Sequence, residues 1–262
     1  QKKLVLEKLD DSFGDECEAH FQFMPDRYFQ MFEPEEIAQH LRHFREFFLS
    51  RLSSDSLAAA PALRWIPKPD KGHTEVWVSS WDRPRLLERI AGAFVSARLN
   101  ILGADIFTRT DSLALDIFRV CGGNFEPVPS PREIASIEKR LAEALSVEEF
   151  DFTPLMDKDS RLRSYKLSQE FDLPTGLTID NDSHPVYTLI EIQTPDRLGL
   201  LYDLLRAMSG EGVLIEISRI TTEMDVAMDS FYVYGRDGGK ITSRTAIRNL
   251  QKVLHNAAVK TS

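Results

Sequence analysis

Cysteine is nearly absent from this chain, whose 262 residues include only Cys17 and Cys121. The two thiols lie far apart in the sequence and form no C-x-x-C pair. A disulfide framework is therefore not expected, and the sequence predicts free thiols in a reducing, cytoplasmic compartment.

Positive charge is also scarce. The chain has 32 Lys and Arg against 41 Asp and Glu, which gives a formal net charge of −9. Nucleic acids bind clustered positive charge, and no run of Lys or Arg supplies it. No stretch approaches the ~18 consecutive apolar residues of a membrane span. We therefore expect neither a nucleic-acid partner nor a membrane partner.

The N-terminus carries no signal peptide, since Lys2-Lys3 is followed by acid-rich sequence. The chain begins with Gln1 and not with Met. We expect it to be a fragment of a larger protein.

The motifs of the common enzyme classes are missing as well: there is no G-x-S-x-G elbow, Walker lysine motif, H-E-x-x-H or G-x-G-x-x-G. Gly238-Gly239-Lys240 lacks the spacing of a phosphate loop and predicts a turn between a strand and a helix. His40 and His43 share one helix face, but no third ligand follows at metal-binding spacing. The sequence thus predicts no catalytic residue, no metal site and no cofactor.

What the sequence does contain is a repeat, in which residues 75–120 and 189–233 share one pattern. Two copies are too few for a solenoid, so they predict two similar domains. With 42% apolar residues the chain can bury an ordinary core in each. The matched positions include Asp82-Arg83 with Asp196-Arg197, Thr108 with Thr222, and Asp116 with Asp229.

Each copy has the same order of elements. A strand ends at the Asp-Arg pair, an amphipathic helix follows, and two strands joined by a tight turn come next. A second helix starts at the capping box Ser130-Pro131-Arg132-Glu133 in the first copy and at Ser243 in the second. We expect a last strand at Val147–Phe152 and at Ala257–Lys260. The order β-α-β-β-α-β predicts two tandem ferredoxin-like units of the α+β class.

Residues 19–51, upstream of the repeat, read as helical. Pro34 stands at a helix start, and Ile37, Leu41, Phe44 and Phe47 follow on one face. We expect this aromatic face to pack against one unit or a missing domain. The two units should pack as a pair, because open sheet edges are unfavourable.

These elements divide the chain into four parts. The connection between the units is long and carries a possible strand at Phe171 to Ile179. The expected boundaries are 1–62 for the helical segment and linker, 70–153 for the first unit, 154–185 for the connection and 186–262 for the second unit.

The two Asp-Arg loops are the candidate ligand sites. Each joins a strand to a helix N-terminus, whose unpaired N–H groups and positive dipole end attract a small carboxylate. Gly199 lets the backbone approach a ligand or adopt a positive φ. Asp196 could accept a hydrogen bond from an α-ammonium group, or it could be a plain helix N-cap.

Three segments carry a resemblance to a known family. The strand–Asp-Arg-x-Gly-Leu-Leu–helix pattern resembles ACT domains, which are effector-binding modules that commonly sense amino acids. The segments "DRPRLLERI…LNILGADIFTRTDSLALDIFRV", "MPDRYFQMFEPEEIAQHL" and "FDLPTGLTID" are similar to the regulatory end of the uridylyltransferase/uridylyl-removing enzymes of bacterial nitrogen control. The resemblance covers residues 20–50 and 70–256.

This resemblance implies a regulatory module that binds a small amino-acid effector, glutamine, and controls upstream catalytic domains that act on the PII signal protein. The chain carries neither a nucleotidyltransferase signature nor a His-Asp hydrolase motif. It would therefore be the regulatory part of a larger enzyme of nitrogen metabolism.

The resemblance also implies where the effector binds. In ACT pairs it usually lies between two domains, with loop contacts from one and a strand Asn from the other. The glycine loop survives here only in the second copy and the Asn only in the first. The expected site consists of Asp196, Arg197, Leu198, Gly199, Leu200, Asn100 and Ile101. A weaker second site would consist of Asp82, Arg83, Arg85 and Leu214, where Arg85 would fill the space of a ligand carboxylate.

Three alternatives remain open at this point. The chain could be a free-standing ACT-repeat protein without a catalytic partner. It could be a scaffold whose ACT pair only drives formation of a homodimer. It could also be a degenerate hydrolase that uses His40 and His43.

Overall fold

A computed structural model describes residues 1–52, 60–122, 130–156 and 174–259. The sheet contains eight strands, which are β1 (Ala62–Lys68), β2 (His73–Trp81), β3 (Asn100–Thr108), β4 (Leu113–Cys121), β5 (Gly176–Asp180), β6 (Thr188–Pro195), β7 (Leu214–Glu223) and β8 (Val226–Tyr234). The helices of the described residues are α1 (Lys2–Leu6), α2 (Gly14–Phe23), α3 (Asp26–Met31), α4 (Pro34–Leu52), α5 (Leu86–Ser96), α6 (Pro131–Ser146), α7 (Leu200–Gly210) and α8 (Arg244–Ala258).

The eight strands form one sheet in the order β1-β2-β4-β3-β7-β8-β6-β5. All neighbouring strands are antiparallel. Each half of the sheet belongs to one repeat, so the α+β fold of two ferredoxin-like units with a preceding helical segment is confirmed.

The edge strand of each unit lies elsewhere in the chain than predicted. No strand forms at 147–152, and Ala257 and Ala258 belong to α8, while residue 260 lies outside the described part. Instead β1 and β5, which precede each repeat, pair with β2 and β6. The units therefore start at Ala62 and Gly176, and their order is ββαββα. The strand expected at 171–179 is present from Gly176 onward, and residues 171–173 are outside the described part.

Local signals in the sequence place the other elements. Ser130 accepts a hydrogen bond from the N–H of Glu133, whose carboxylate accepts one in return, so the predicted capping box is confirmed. Ser243 caps α8 in the same way, through the N–H of Ala246. The β3–β4 and β7–β8 turns contain Ser112 and Asp225 at positive φ. The Gly238-Gly239-Lys240 turn lies between β8 and α8 as predicted.

One face of the sheet is covered by α5, α6, α7 and α8. These helices and the strands of both units form one continuous apolar core. On the other face the helical segment (residues 2–52) covers the first unit. Its residues Tyr28, Ile37 and Phe44 pack in one cluster with Trp77 and Phe107 of the sheet. The predicted packing of this segment on one unit is confirmed.

Among the described residues no helix covers the same face of the second unit, and the sequence of that face gives a reason. Met228 and Ser230 stand where the first unit has Leu115 and Ile117. Glu191 pairs with Ser230 on the neighbouring strand and is exposed. A polar face gains little from burial, so this face favours a helical cover less than the apolar face of the first unit does.

The two units meet along β3 and β7. Gly103, Ala104 and Asp105 pair with Thr221, Ile220 and Arg219 in a short antiparallel ladder. Helices α5 and α7 also contact each other across this junction. The predicted pairing of the units is confirmed, and it occurs within one chain. In the described residues, no helix is both long and apolar enough to cross a membrane.

Candidate functional site

The two Asp-Arg loops take the same shape at the ends of β2 and β6. The N–H of Asp82 donates to the Ser112 carbonyl at 2.8 Å, and the N–H of Asp196 donates to the Asp225 carbonyl at 2.7 Å. Each loop ends in a left-handed residue before its helix, Arg85 at φ 64° and Gly199 at φ 83°. Glycine adopts this φ without strain, whereas a residue with a Cβ does so at a cost.

Asp196 meets Asn100 at the junction of the units, and we call this the Asp196 site. The Asn100 Nδ2 donates to the Asp196 Oδ2 at 2.9 Å, and the Thr222 hydroxyl donates to the same oxygen at 3.3 Å. The N–H of Arg197 donates to the other oxygen at 2.8 Å. Burial nevertheless raises the pKa of Asp196 to about 6, because these three donors only partly offset desolvation.

A second carboxyl group lies at the same site. Asp229 of β8 is fully buried, and burial together with the charge of Asp196 raises its pKa to about 8. Two adjacent buried carboxyl groups favour at least one neutral partner at pH 7. The space that Asn100, Asp196, Gly199 and Asp229 enclose is about 10 Å³, which is room for roughly one water molecule.

The structure brings together part of the predicted primary site. Asp196, Gly199, Leu200, Asn100 and Ile101 all line this space. Arg197 and Leu198 do not line it.

The Arg197 side chain turns away from the site and is buried. Its Nη2 donates to the Ala257 carbonyl at 2.6 Å at the end of α8, and it forms an ion pair with Asp203 at 2.8 Å. Arg83 makes the equivalent contact in the first unit, where its Nη1 donates to the Leu145 carbonyl of α6 at 2.8 Å. The repeated arginine thus satisfies carbonyls at a helix C-terminus, which otherwise lack partners.

The pseudosymmetric position holds a larger cavity of about 230 Å³, which we call the Asp82 site. Asp82, Arg83, Arg85 and Leu214, the residues of the predicted second site, all line it. The expectation that Arg85 fills the space of a ligand carboxylate stays a prediction. Its Nε and Nη2 donate to the Glu88 carboxylate, at 3.0 and 2.7 Å, and the cavity stays open beside this ion pair.

Residues of β4, β7 and β8 were missed at the sequence level. Asp116 lines the Asp82 site, and Asp229 and Thr222 line the Asp196 site. Their signal was present, since Asp116 matches Asp229 in the repeat. A carboxylate on the apolar face of a central strand, in both copies, is the unusual feature that could have revealed them.

The two histidines of the hydrolase hypothesis lie far from these cavities, in the aromatic cluster under the helical segment. His40 is 1% exposed and His43 is 0% exposed. The Nδ1 of His40 is 2.7 Å from the Tyr28 hydroxyl. The imidazole rings of His40 and His43 both pack edge-on against Trp77. Neither ring can reach a substrate there. In the described ranges no group of three or more His, Cys, Asp or Glu could hold a metal ion.

Comparisons with known proteins agree with this architecture. The family described as an ACR9-like, ACT-like domain matches residues 176–261, the whole second unit including β5. The first unit shares the repeat and the fold with this second unit.

Relatives of the whole chain are bifunctional uridylyltransferase/uridylyl-removing enzymes. The chain is 33% identical over 227 residues to the enzyme of Rhodospirillum rubrum, covering 86% of the chain and 23% of the relative. It is 30% identical over 241 residues to that of Erythrobacter litoralis, covering 92% and 25%. The chain thus spans about a quarter of the length of these relatives. It is a tandem ACT-domain region that resembles the C-terminal ACT region of the bifunctional uridylyltransferase/uridylyl-removing enzymes.

Proposed function

We propose that this chain is the regulatory, amino-acid-sensing part of a uridylyltransferase/uridylyl-removing enzyme, and that its effector binds at the Asp196 site. One observation carries the proposal. Asn100 of the first unit and Asp196 of the second meet at 2.9 Å beside the helix terminus at Gly199. A ligand at this point touches both units at once.

The groups at the site match the charges of an amino acid. Asp196 accepts hydrogen bonds and takes the α-ammonium group, with Asn100 beside it. The N–H of Leu200 already donates to the Arg197 carbonyl at 3.0 Å. The next N–H groups in the first turn of α7 lack partners within the helix, so they take the α-carboxylate. Gly199 has no Cβ, which leaves room for the carboxylate to approach the backbone.

Because the Asp196 site is narrow, binding of an effector requires a change in the arrangement of the two units. An amino acid does not fit in about 10 Å³, so it enters only if Asn100 and Asp196 separate. These residues belong to different units, whose strands β3 and β7 border the site. Binding therefore favours an arrangement of the units that differs from the empty one, and this difference is what a coupled domain can sense.

The identity of the effector and of the controlled partner rests on the relatives. The chain resembles their regulatory end, which implies glutamine as the effector. Uridylyltransferase and uridylyl-removing activities, which the names of the relatives give, would reside in catalytic domains outside the 262 residues, with the PII signal protein as substrate.

Calorimetry on the 262-residue chain with each of the twenty amino acids tests the proposal, with glutamine expected to bind. Asn100→Ala removes one polar contact and should weaken binding at least tenfold, in line with ~1–3 kcal/mol per lost contact. Gly199→Arg copies the loop of the first unit and should abolish binding. The matched control is Asn249→Ala on the exposed face of α8, which should bind like the wild type.

Three outcomes would contradict the proposal. If no amino acid binds, the ACT pair is an association module or a free-standing repeat without this effector. If Asn100→Ala binds as tightly as the wild type, the effector lies elsewhere. Two equal sites per chain would show that the Asp82 site binds the same ligand.

A further inference from the structure

We propose that the Asp82 site binds a small organic cation, a primary ammonium group on an aliphatic chain. The site is the pseudosymmetric counterpart of the Asp196 site. Its lining has changed so far that its ligand belongs to another chemical class. This inference does not rest on the proposed function of the Asp196 site.

The polar lining includes the carboxyl groups of Asp82 and Asp116. Asp116 is 2% exposed, and its Oδ1 has no hydrogen-bond partner within the described residues. Asp82 faces the same cavity, and burial raises its pKa. An unsatisfied buried carboxyl oxygen costs free energy, so a donor that enters the cavity is stabilised there.

The cations of the lining are already engaged. Arg85 is held by both oxygens of Glu88, whose side chain is itself buried. Arg83 donates to the Leu145 carbonyl. The Arg85–Glu88 pair is neutral as a whole, and the Arg83 guanidinium is held by a carbonyl. Burial and the charge of Asp82 raise the pKa of Asp116 well above its ordinary value, so Asp82 supplies the negative charge and Asp116 an unsatisfied carboxyl oxygen.

The rest of the wall is mixed, with the polar side chains of Thr108, Ser209 and Tyr234 beside an apolar part. Side chains of α7 and of the start of β7 supply the apolar part, among them Leu205, Val213, Leu214 and Ile215. The cavity of about 230 Å³ is far larger than the ~10–15 Å³ that one water molecule needs. It can therefore take an alkyl chain, whose burial contributes roughly 0.8 kcal/mol for each methylene group.

A carboxylate on the ligand would be unfavourable here, in contrast to the Asp196 site. Leu214 stands where the other site has Asn100, and its side chain neither donates nor accepts a hydrogen bond. Arg85 stands where the other site has Gly199, so a Cβ occupies the approach to the helix N-terminus. An α-carboxylate would also face Asp82 and Asp116. The site therefore discriminates against amino acids and in favour of bare amines.

The test uses n-pentylamine, with norleucine as the same amine carrying a carboxylate and pentan-1-ol as its neutral analogue. Calorimetry on the 262-residue chain at pH 7.5 should show binding of n-pentylamine. Norleucine and pentan-1-ol should each displace n-pentylamine only at a concentration at least tenfold higher than that of the amine. Displacement reports on this cavity alone, so binding of norleucine at the Asp196 site does not interfere.

Two variants locate the bound amine. Asp116→Asn keeps the shape but replaces a carboxyl group that can ionise beside an ammonium group, and it should weaken n-pentylamine at least tenfold. Asp82→Asn should do the same, and it carries the test if the buried Asp116 variant does not fold. Glu143→Gln changes the net charge equally at an exposed position of α6 and should leave the affinity within twofold of the wild type.

The proposal is overturned if n-pentylamine gives no binding heat, or if both Asp→Asn variants that fold bind it like the wild type. Displacement by norleucine at equal concentration would show that the cavity accepts amino acids. Loss of amino-acid binding in Gly199→Arg with retained n-pentylamine binding would support two separate sites. If the wild type binds no amino acid, the proposed function fails, but binding of n-pentylamine would still support the present proposal.

Discussion

Asp229 is fully buried beside Asp196, and the charge of Asp196 adds to burial in raising the pKa of Asp229 to about 8. The folded pKa thus lies above the ordinary value of 3.8. Between these two pH values the folded state binds more protons at this residue than the unfolded state. Its contribution to stability is therefore present at low pH and is lost as pH rises toward 8.

We expect Asp229→Asn to remove this pH dependence, because asparagine keeps the shape and the acceptor for the Thr221 N–H but does not titrate. Between pH 5 and pH 8 the free energy of unfolding of the wild type should fall relative to that of the variant. The slope of the difference should approach at most ~1.4 kcal/mol per pH unit. Urea unfolding at several pH values measures it. The exposed Asp182→Asn should follow the wild type, and equal slopes for Asp229→Asn would contradict the prediction.

The helical segment should respond to pH in the opposite direction. Burial lowers the pKa of His20 and His40 to about 3 and that of His43 to about 4. The pKa values of these histidines in the folded state lie below their ordinary value of 6.5. Below pH 6.5 the unfolded state therefore binds more protons at these residues than the folded state does. The stability contributed by neutral histidines is present above about pH 6.5 and is lost as pH falls toward 4.

His20 offers a test of this acid sensitivity, because neither of its ring nitrogens has a hydrogen-bond partner within the described residues. We expect His20→Leu, which has a similar volume, to reduce the loss of unfolding free energy between pH 6.5 and 5 by up to ~1.4 kcal/mol per pH unit. Denaturant unfolding followed by tryptophan fluorescence measures it, since Trp77 packs against this segment. His184→Leu, outside the cluster, is the control. An unchanged pH slope in His20→Leu would contradict the prediction.

The repeat allowed much of the fold to be predicted, because apolar periodicity and caps act locally. It also brought out the complementary pair Asn100 and Asp196. The edge strands could not be assigned in this way. β1 contains Pro67, which argues against an interior strand but is tolerated at a sheet edge. Whether the short segment before or after a unit fills that edge depends on tertiary packing and not on local propensity.

Side-chain direction was the other limit. The sequence shows that Arg83 and Arg197 recur next to an aspartate, but it does not show whether they face the ligand or the protein. The carbonyls that they satisfy lie 62 and 60 residues away. The same holds for Arg85, which lines the Asp82 site while its guanidinium pairs with Glu88.

Arg197 allows a direct test of a structural against a ligand-binding role. It is 3% exposed and bridges the Ala257 carbonyl and Asp203. Arg197→Met removes the ion pair with the buried Asp203 carboxylate and the hydrogen bond to the Ala257 carbonyl, and we expect a loss of ~3–5 kcal/mol in unfolding free energy. Arg197→Lys should lose less, ~1–3 kcal/mol, because an ammonium group cannot present the two-pronged geometry of a guanidinium.

The double variant Arg197→Met/Asp203→Leu separates the two roles. Replacing a buried ion pair by apolar residues of similar size is often nearly neutral, so this variant should recover a large part of the stability lost in Arg197→Met. Thermal unfolding and calorimetry with the bound amino acid measure both properties on the same samples. A structural arginine predicts lower stability with unchanged affinity in Arg197→Lys. Unchanged stability with lost affinity would mean that Arg197 contacts the effector, as the loop sequence first indicated.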